Sequence, residues 1–415
     1  MPSKWWLKAK PFPGILLVTL GGAAVNLAGP NSVSWAIILL GVVYLLVSGT
    51  ERPRRTPLDW AILLLLLTAV LSIPISTALH LTLNLALGLL ASVIMFYALV
   101  FWAQSSYQYH ITAWALIFMG VCLAIAAPFI VNWHLNKTGL VPDVVYTHLP
   151  PLILSDSVHP NIMATLLLLL MPLALAFCLV YWPGHLKRTA VPFFIAAFAS
   201  LLIGMTLLLT RSRGGYLAAA MSVILLLWWM RWRKTAVLLT LIASIVAIWL
   251  ATAVTPAPSQ EITDTSTMAF RLYVWRTALI VVADFPFTGV GMGTFNDVAS
   301  RLYPFPPTTN PGAHNLFLQV AIDLGLFGLI AYISLVLLTL TMGSRALQIY
   351  RQRQDNSMIA ISGGSLAGFI GMLLHGLVDN TVWGTRMSFV PWLIVGLITA
   401  VFLSAWQKNS AKPGD

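Results

Sequence analysis

The chain has 415 residues, of which 59% are hydrophobic and only 8% charged, and its mean hydropathy is +0.87. That composition excludes a soluble globular domain and places the chain among polytopic membrane proteins, with the bilayer as its main solvent. The formal net charge of +11 sits mostly in short basic connections between apolar runs, so it reads as a topology signal and not as a nucleic-acid surface. Cys122 and Cys178 both lie inside apolar runs with no Cys or His at ligand spacing, which argues against a disulfide framework and against a metal site.

Apolar runs of roughly 17 to 25 residues, the length that crosses about 30 Å of hydrocarbon, fall at 12–29, 33–49, 58–78, 81–103, 111–131, 160–182, 190–210, 214–232, 235–254, 316–341, 358–378 and 388–406. They predict an all-α polytopic protein with about 12 transmembrane helices, forming a single integral membrane domain over 1–415. Lys4, Lys8 and Lys10 precede a first run without a convincing cleavage site, so that run reads as a span and not as a signal peptide. The second and third runs are the least sharply bounded, and 76–84 reads either as a clean exit or as a re-entrant bend.

With the N-terminus cytoplasmic, the inner side receives 16 of the 23 lysines and arginines, including every strongly basic connection, as the positive-inside rule requires. Both termini are then cytoplasmic. The outer side receives Lys137, Arg211, Arg213, Arg271, Arg276, Arg301 and Arg386.

In the first long outer loop, from Asn132 to Pro160, His134, His148, His159, Asp143 and Asp156 do not match a zinc spacing and read as surface residues. Its end, Ser157-Val158-His159-Pro160-Asn161, has the form of a helix start with proline in the first turn. Further on, Thr210-Arg211-Ser212-Arg213-Gly214-Gly215-Tyr216 ends one apolar run and at once begins another. A planar guanidinium grips phosphate or carboxylate bidentately, although interfacial arginines also snorkel to headgroups. A pair of them at a Gly-Gly re-entry favours an anion site, because glycine lets backbone approach a ligand closely.

The large outer loop, 255–315, is where chemistry is expected. Pro256-Ala257-Pro258-Ser259 ends the preceding span, and Ser266 or Thr267 can cap a new helix. Met268, Leu272, Trp275 and Leu279 recur at helical spacing and predict an amphipathic helix over 268–283, lying at the interface. Arg271, one turn before Trp275, and Arg276 lie on it. Asp284-Phe285-Pro286 ends that helix. Gly289-Val290-Gly291-Met292-Gly293 follows and reads as a turn, since a glycine run outside a P-loop or dinucleotide context is a weak phosphate signal.

His314, followed by Asn315, stands at the outer end of the run 316–341, where an imidazole can serve as acid or base. Asp323 lies about two turns into the same run, and His375 and Asp379 stand one turn apart at the outer end of the next. Ionisable groups inside spans are costly and mark a functional interior.

Arg211-Ser212-Arg213-Gly214-Gly215, then Arg271 with Trp275, then Pro286 with Gly289-Val290-Gly291-Met292-Gly293-Thr294-Phe295, then His314-Asn315 with Asp323-Leu324-Gly325-Leu326-Phe327-Gly328-Leu329 follow one another in that order. Over roughly 157–400 this resembles the O-antigen ligase and polymerase superfamily. Asp323 departs from the pattern, which usually has glutamate there. The resemblance implies a membrane glycosyltransferase of the GT-C type, with its active site on the periplasmic face of a bacterial inner membrane. Its donor would be a glycan on undecaprenyl diphosphate and its acceptor a sugar hydroxyl, such as that of lipid A-core. It further implies that His314 takes the proton of the attacking hydroxyl and that Arg211, Arg213, Arg271 and Arg276 bind the diphosphate. His375 and Asp379 would contact acceptor or sugar, and no metal or cofactor would take part.

Two other readings stay open. Repeat-unit polymerase or protein oligosaccharyltransferase keeps the superfamily and changes the acceptor. A secondary transporter or lipid flippase would use Asp323, His375 and Asp379 as a proton relay, but the halves show no internal repeat and the outer polar residues gather on one long loop.

Overall fold

The computed structural model describes residues 12–48, 54–133, 141–150, 157–182, 190–253, 268–304 and 312–410. Among these residues the chain is all-α, with one isolated bridge between Val131 and Val158 and no strand. Long Leu- and Ala-rich runs have no other way to satisfy their backbone in lipid. The helices are α1 (Phe12–Ala28), α2 (Ser32–Ser48), α3 (Asp59–Ser72), α4 (Leu79–Trp102), α5 (Ser106–Ile130), α6 (Asp143–Thr147), α7 (Pro160–Val180) and α8 (Ala190–Leu209). They continue with α9 (Arg213–Trp229), α10 (Arg233–Ala253), α11 (Met268–Asp284), α12 (Phe295–Leu302), α13 (Leu316–Gln352), α14 (Asn356–Gly376) and α15 (Phe389–Ser410).

Each predicted apolar run coincides with one helix. Among the described residues seven helices are long and apolar enough to cross a membrane, and α1, α2, α3 and α9 are shorter apolar helices. Two boundaries differ from expectation. The run 58–78 stops at Ser72, where a turn containing Pro74 intervenes, and Ser76 Oγ accepts from Ala78 N (3.0 Å) at the start of α4. The run 316–341 extends to Gln352 and is broken at Gly325, whose φ of 70° and ψ of −173° are not helical.

Several expectations fall outside the described residues. These are the cap at Ser266 or Thr267, the turn at Pro256-Ala257-Pro258-Ser259, His134, Asp156, and the basic residues Lys4, Lys8, Lys10, Arg52, Lys137, Lys187, Arg188 and Lys412.

The contacts divide the chain into two compact units. The first comprises Met1–Tyr109, Val274–Met342 and Val382–Asp415. In it α1 packs on α2 and α4, and α15 packs on α4. The buried amide of Asn26 ties these elements together: its Nδ2 donates to Gly22 O (2.9 Å) and Gly88 O (3.3 Å), and its Oδ1 accepts from Ser388 Oγ (3.2 Å). The second unit comprises His110–Tyr273 and Gly343–Thr381. Its axis is α7, buried along most of its length and packed against α8, α9 and α14. A Cβ at Gly368 of α14 would stand 2.0 Å from Leu169 O, so this glycine brings the two backbones together, as small residues do in membrane helix pairs.

The helix expected at 268–283 forms as α11, but it buries a different face. Phe270, Val274, Thr277, Ala278 and Val281 are buried, whereas Leu272 and Leu279 point outward. With apolar residues on every side, α11 offers more than one stripe at helical spacing, and packing selected the one with two small residues. The markedly amphipathic helix is the short α12, which buries Phe295, Val298 and Ala299 and exposes Ser300 and Arg301.

Candidate functional site

In the first unit several polar and ionisable residues gather at the head of α13. Asn315 caps the helix, its Oδ1 accepting from the amides of Phe317 and Leu318, both at 3.0 Å. His314 just before it is buried, at 4% exposure, and has φ of 49°. That left-handed conformation is uncommon outside glycine and costs roughly 1–2 kcal/mol, so the surroundings must enforce it. They do so from both sides: Ala313 N donates to Gln319 Oε1 (2.7 Å), and Asn315 is fixed by its capping bonds.

Gln319 leads to Asp323. The carboxylate is 1% exposed and accepts from Gln319 Nε2 (3.0 Å), Trp383 Nε1 (2.8 Å) and Gly293 N (3.3 Å). One buried carboxylate thus joins the segment before His314, the glycine run and the start of the 382–415 segment. Three donors are what a buried carboxylate requires.

Immediately after Asp323 the helix breaks, and the glycine run closes the gap. Val290 N donates to Ile322 O (2.8 Å), Gly291 N to Asp323 O (3.2 Å), and Leu326 N to Pro286 O (2.7 Å). Gly289 has φ of 64°, and a Cβ there would stand 2.5 Å from Ile322 O. The run is therefore a turn docked backbone to backbone on a broken helix, which accounts for its glycines without a phosphate. Thr82 Oγ1 pins the same turn to α4 by donating to Met292 O (2.9 Å). Beside it lies a cavity of about 410 Å³ whose lining includes Asn26, Asn84, Met292, Trp383, Arg386 and Trp392.

In the second unit the Arg211-Ser212-Arg213 turn joins α8 to α9. Ser212 Oγ caps α9 by accepting from Gly215 N (3.2 Å), and it lies 3.3 Å from His375 Nε2. The other ring nitrogen of His375, Nδ1, lies 2.7 Å from Thr165 Oγ1, which also contacts the Thr381 hydroxyl. Asp379 Oδ2 accepts from Asn161 Nδ2 (2.5 Å). Sequence spacing placed His375 and Asp379 together at a helix end; the structure adds Thr165, Asn161 and Thr381 as their partners.

Two expectations change here. A Cβ at Gly214 would meet His375 Cδ2 at 3.2 Å and Val378 Cγ2 at 2.9 Å, and one at Gly215 would meet Ala164 Cβ at 3.1 Å. The space beside these glycines is taken by neighbouring side chains. Arg211 has φ of 50° and a side chain that is 11% exposed. It pairs with Asp143, donates to Val141 O (2.8 Å), and lies 4.0 Å over the Tyr146 ring, whose hydroxyl donates to Leu209 O (2.7 Å). Asp143 is largely exposed, with 90% of its side chain open against 11% for Arg211.

On α11, Arg271 is half-buried and Arg276 exposed. The Nε of Arg271 and the Nε1 of Trp275 are buried donors without a hydrogen-bond partner among the described residues. Orphaned donors of this kind are uncommon in folded proteins, and an anion is a natural acceptor for the guanidinium.

Among the described residues, no three His, Cys, Asp or Glu side chains converge as a metal-holding group. Gln319 and Trp383 are functional candidates that the sequence did not single out. Gln319 carried a signal, a polar residue one turn before Asp323 in an apolar run; Trp383 carried none, being 60 residues away from the carboxylate it serves.

Residues 198–333 match the family model described as O-antigen ligase. That match places the Arg211-Ser212-Arg213 turn, α11, the glycine run, His314 and Asp323 inside the family region. No curated protein matches the chain.

Proposed function

We propose that the chain, whose residues 198–333 match the O-antigen ligase family model, belongs to the O-antigen ligase and polymerase superfamily and is a glycosyltransferase of the ligase type. It moves a glycan from undecaprenyl diphosphate to a sugar hydroxyl of lipid A-core, on the periplasmic face of a bacterial inner membrane, with about 12 spans in a GT-C-type arrangement.

The observation that carries this reading is His314. A buried imidazole held in left-handed backbone by its two neighbours is the pre-organised group that general-base catalysis needs. In the reaction His314 accepts the proton of the attacking hydroxyl, whose oxygen forms the new bond to the anomeric carbon as the bond to the diphosphate oxygen breaks. Displacement in one step inverts that carbon. The leaving diphosphate gains charge, and fixed cations stabilise it without reorganising, the effect that commonly dominates catalysis. Arg271 is the leading cation because its buried Nε has no protein partner among the described residues, and Arg213 and Arg276 support it. Arg211 already has Asp143, so it contributes only if the donor displaces that carboxylate. Protein groups alone neutralise the charge in this scheme, and transfer is expected to survive chelation of divalent cations.

The broken helix at Gly325 beside a buried Asp323 is also a transporter-like feature and favours that second reading. Incubating purified chain in detergent with lipid-linked donor and, in parallel reactions, lipid A-core or an acceptor peptide tests both. The ligase reading expects glycan-capped core. Elongated lipid-linked glycan with no capped core would assign a polymerase, capped peptide an oligosaccharyltransferase, and no transfer to any acceptor would favour the transporter.

A further inference from the structure

At the end of the second unit opposite to Arg211 and His375, where α9 and α13 finish and α10 and α14 begin, lies a cavity of about 420 Å³. Its lining includes Trp229, Arg231, Trp232, Arg351, Gln354 and Asn356, and no carboxylate. Asp355, the neighbouring acid, uses its Oδ1 to cap α14, accepting from Met358 N (3.1 Å).

Two helix ends deliver side chains here by an unusual choice of residue. After α9, Trp232 N donates to Leu227 O (2.8 Å) and Arg231 N to Trp228 O (3.3 Å); after α13, Asp355 N donates to Tyr350 O (3.1 Å) and Gln354 N to Arg351 O (3.2 Å). Both are the paired-bond helix terminus that ordinarily places glycine in the left-handed position. Here that position holds Arg231 (φ 68°) and Gln354 (φ 54°). The backbone tolerates strain that glycine would avoid, and both residues line the same cavity.

The charges are not neutralised. Arg351 donates to Trp229 O, which leaves most of its five donors, and among the described residues neither Arg231 nor Arg351 joins an ion pair. Two guanidinium groups near one concavity, flanked by amide side chains and indoles, fit one ligand chemistry.

We propose that this cavity binds a phosphate-bearing anion, either the headgroup of an anionic phospholipid or a free phosphate compound. Arg231 and Arg351 are its charge partners, and Gln354 and Asn356 add hydrogen bonds. The inference does not rest on glycan transfer, and its test reads binding alone.

The full chain in nanodiscs is titrated with phosphatidylglycerol against phosphatidylcholine, and separately with inorganic pyrophosphate, and binding is read by native mass spectrometry. Arg231→Gln is the decisive variant, since Arg351 also holds a backbone carbonyl; Arg55→Gln, which removes one exposed charge elsewhere, is its control. The expected result is preferential binding of one anionic probe, weakened at least tenfold by Arg231→Gln and unchanged by Arg55→Gln. Preference for phosphatidylglycerol alone identifies a lipid site, and competition by pyrophosphate identifies a free phosphate site. Arg231→Lys, which keeps the charge but not the fork, is expected to fall between, and it carries the test should the glutamine variant not fold. Equal weakening by Arg231→Gln and Arg55→Gln would reduce the cavity to general basic charge and overturn the proposal, as would wild-type binding of neither anionic probe.

Discussion

His314 and His375 are both buried histidines at helix ends, and the protein holds them differently. His375 sits on ordinary helical backbone with both ring nitrogens beside hydroxyls, those of Thr165 and Ser212. His314 stands in left-handed backbone, bracketed by Ala313 and Asn315, with a broken helix and a docked glycine turn behind it. In the second unit side chains are bound to one another at the ends of continuous helices; in the first a buried carboxylate organises the backbone around one residue. In the proposed reaction the strained His314 is the base, and the ring contacts of His375 assign it to positioning the Ser212 cap between Arg211 and Arg213.

The largest expected effect breaks the first region. Gly289→Ala puts a Cβ 2.5 Å from Ile322 O at a positive φ, and the turn can relieve this only by leaving α13. Losing two or three backbone hydrogen bonds at about 1 kcal/mol each, with a left-handed penalty of roughly 1–2 kcal/mol, costs about 3–5 kcal/mol. Thermal unfolding in detergent should show it, and an unchanged midpoint would mean that the turn is not held there.

Next comes Arg271→Lys, which keeps the charge and loses the planar fork. A loss of about 1.5–3 kcal/mol in transfer is expected if the guanidinium meets the diphosphate. Wild-type turnover would assign Arg271 to headgroup anchoring.

His375→Ala tests the positioning role. It removes the ring between the Thr165 and Ser212 hydroxyls and should destabilise by about 1–2 kcal/mol, with donor KM rising more than kcat falls. A fall in kcat at constant KM would instead place His375 at the reacting atoms.

The smallest effect is at Asp143→Ala. An ion pair with one largely exposed partner contributes about 0–1 kcal/mol to stability, so melting should barely move. Donor binding should tighten if Arg211 serves the diphosphate, and stay constant if Arg211 only holds the 141–146 segment.

How much of this was legible in the sequence follows from what each residue announces locally. The helices were, because each apolar run is long and its ends are marked, as at Ser157-Val158-His159-Pro160-Asn161, where His159 Nδ1 does accept from Asn161 N (3.1 Å). Asp323 stood out because a carboxylate in an apolar run has no bland reading. The break at Gly325 did not, since Leu324-Gly325-Leu326 is as apolar as the rest of its run and what opens the helix is the distant 286–291 turn. The buried face of α11 was hidden for the opposite reason: Phe270, Val274 and Val281 look no different from Leu272 and Leu279 until packing chooses between them.

The central claim is that His314 takes the acceptor proton, and the direct measurement is transfer by His314→Ala with donor binding followed in parallel. Transfer should fall by roughly 10²–10⁴-fold, the range of general-base catalysis, while lipid-linked donor binds as in the wild type, because in the proposed site arginines, not His314, hold the diphosphate. His314→Gln should recover little. Full transfer by the alanine variant would remove His314 from the reaction, and loss of donor binding alongside transfer would make it a structural residue instead of the base.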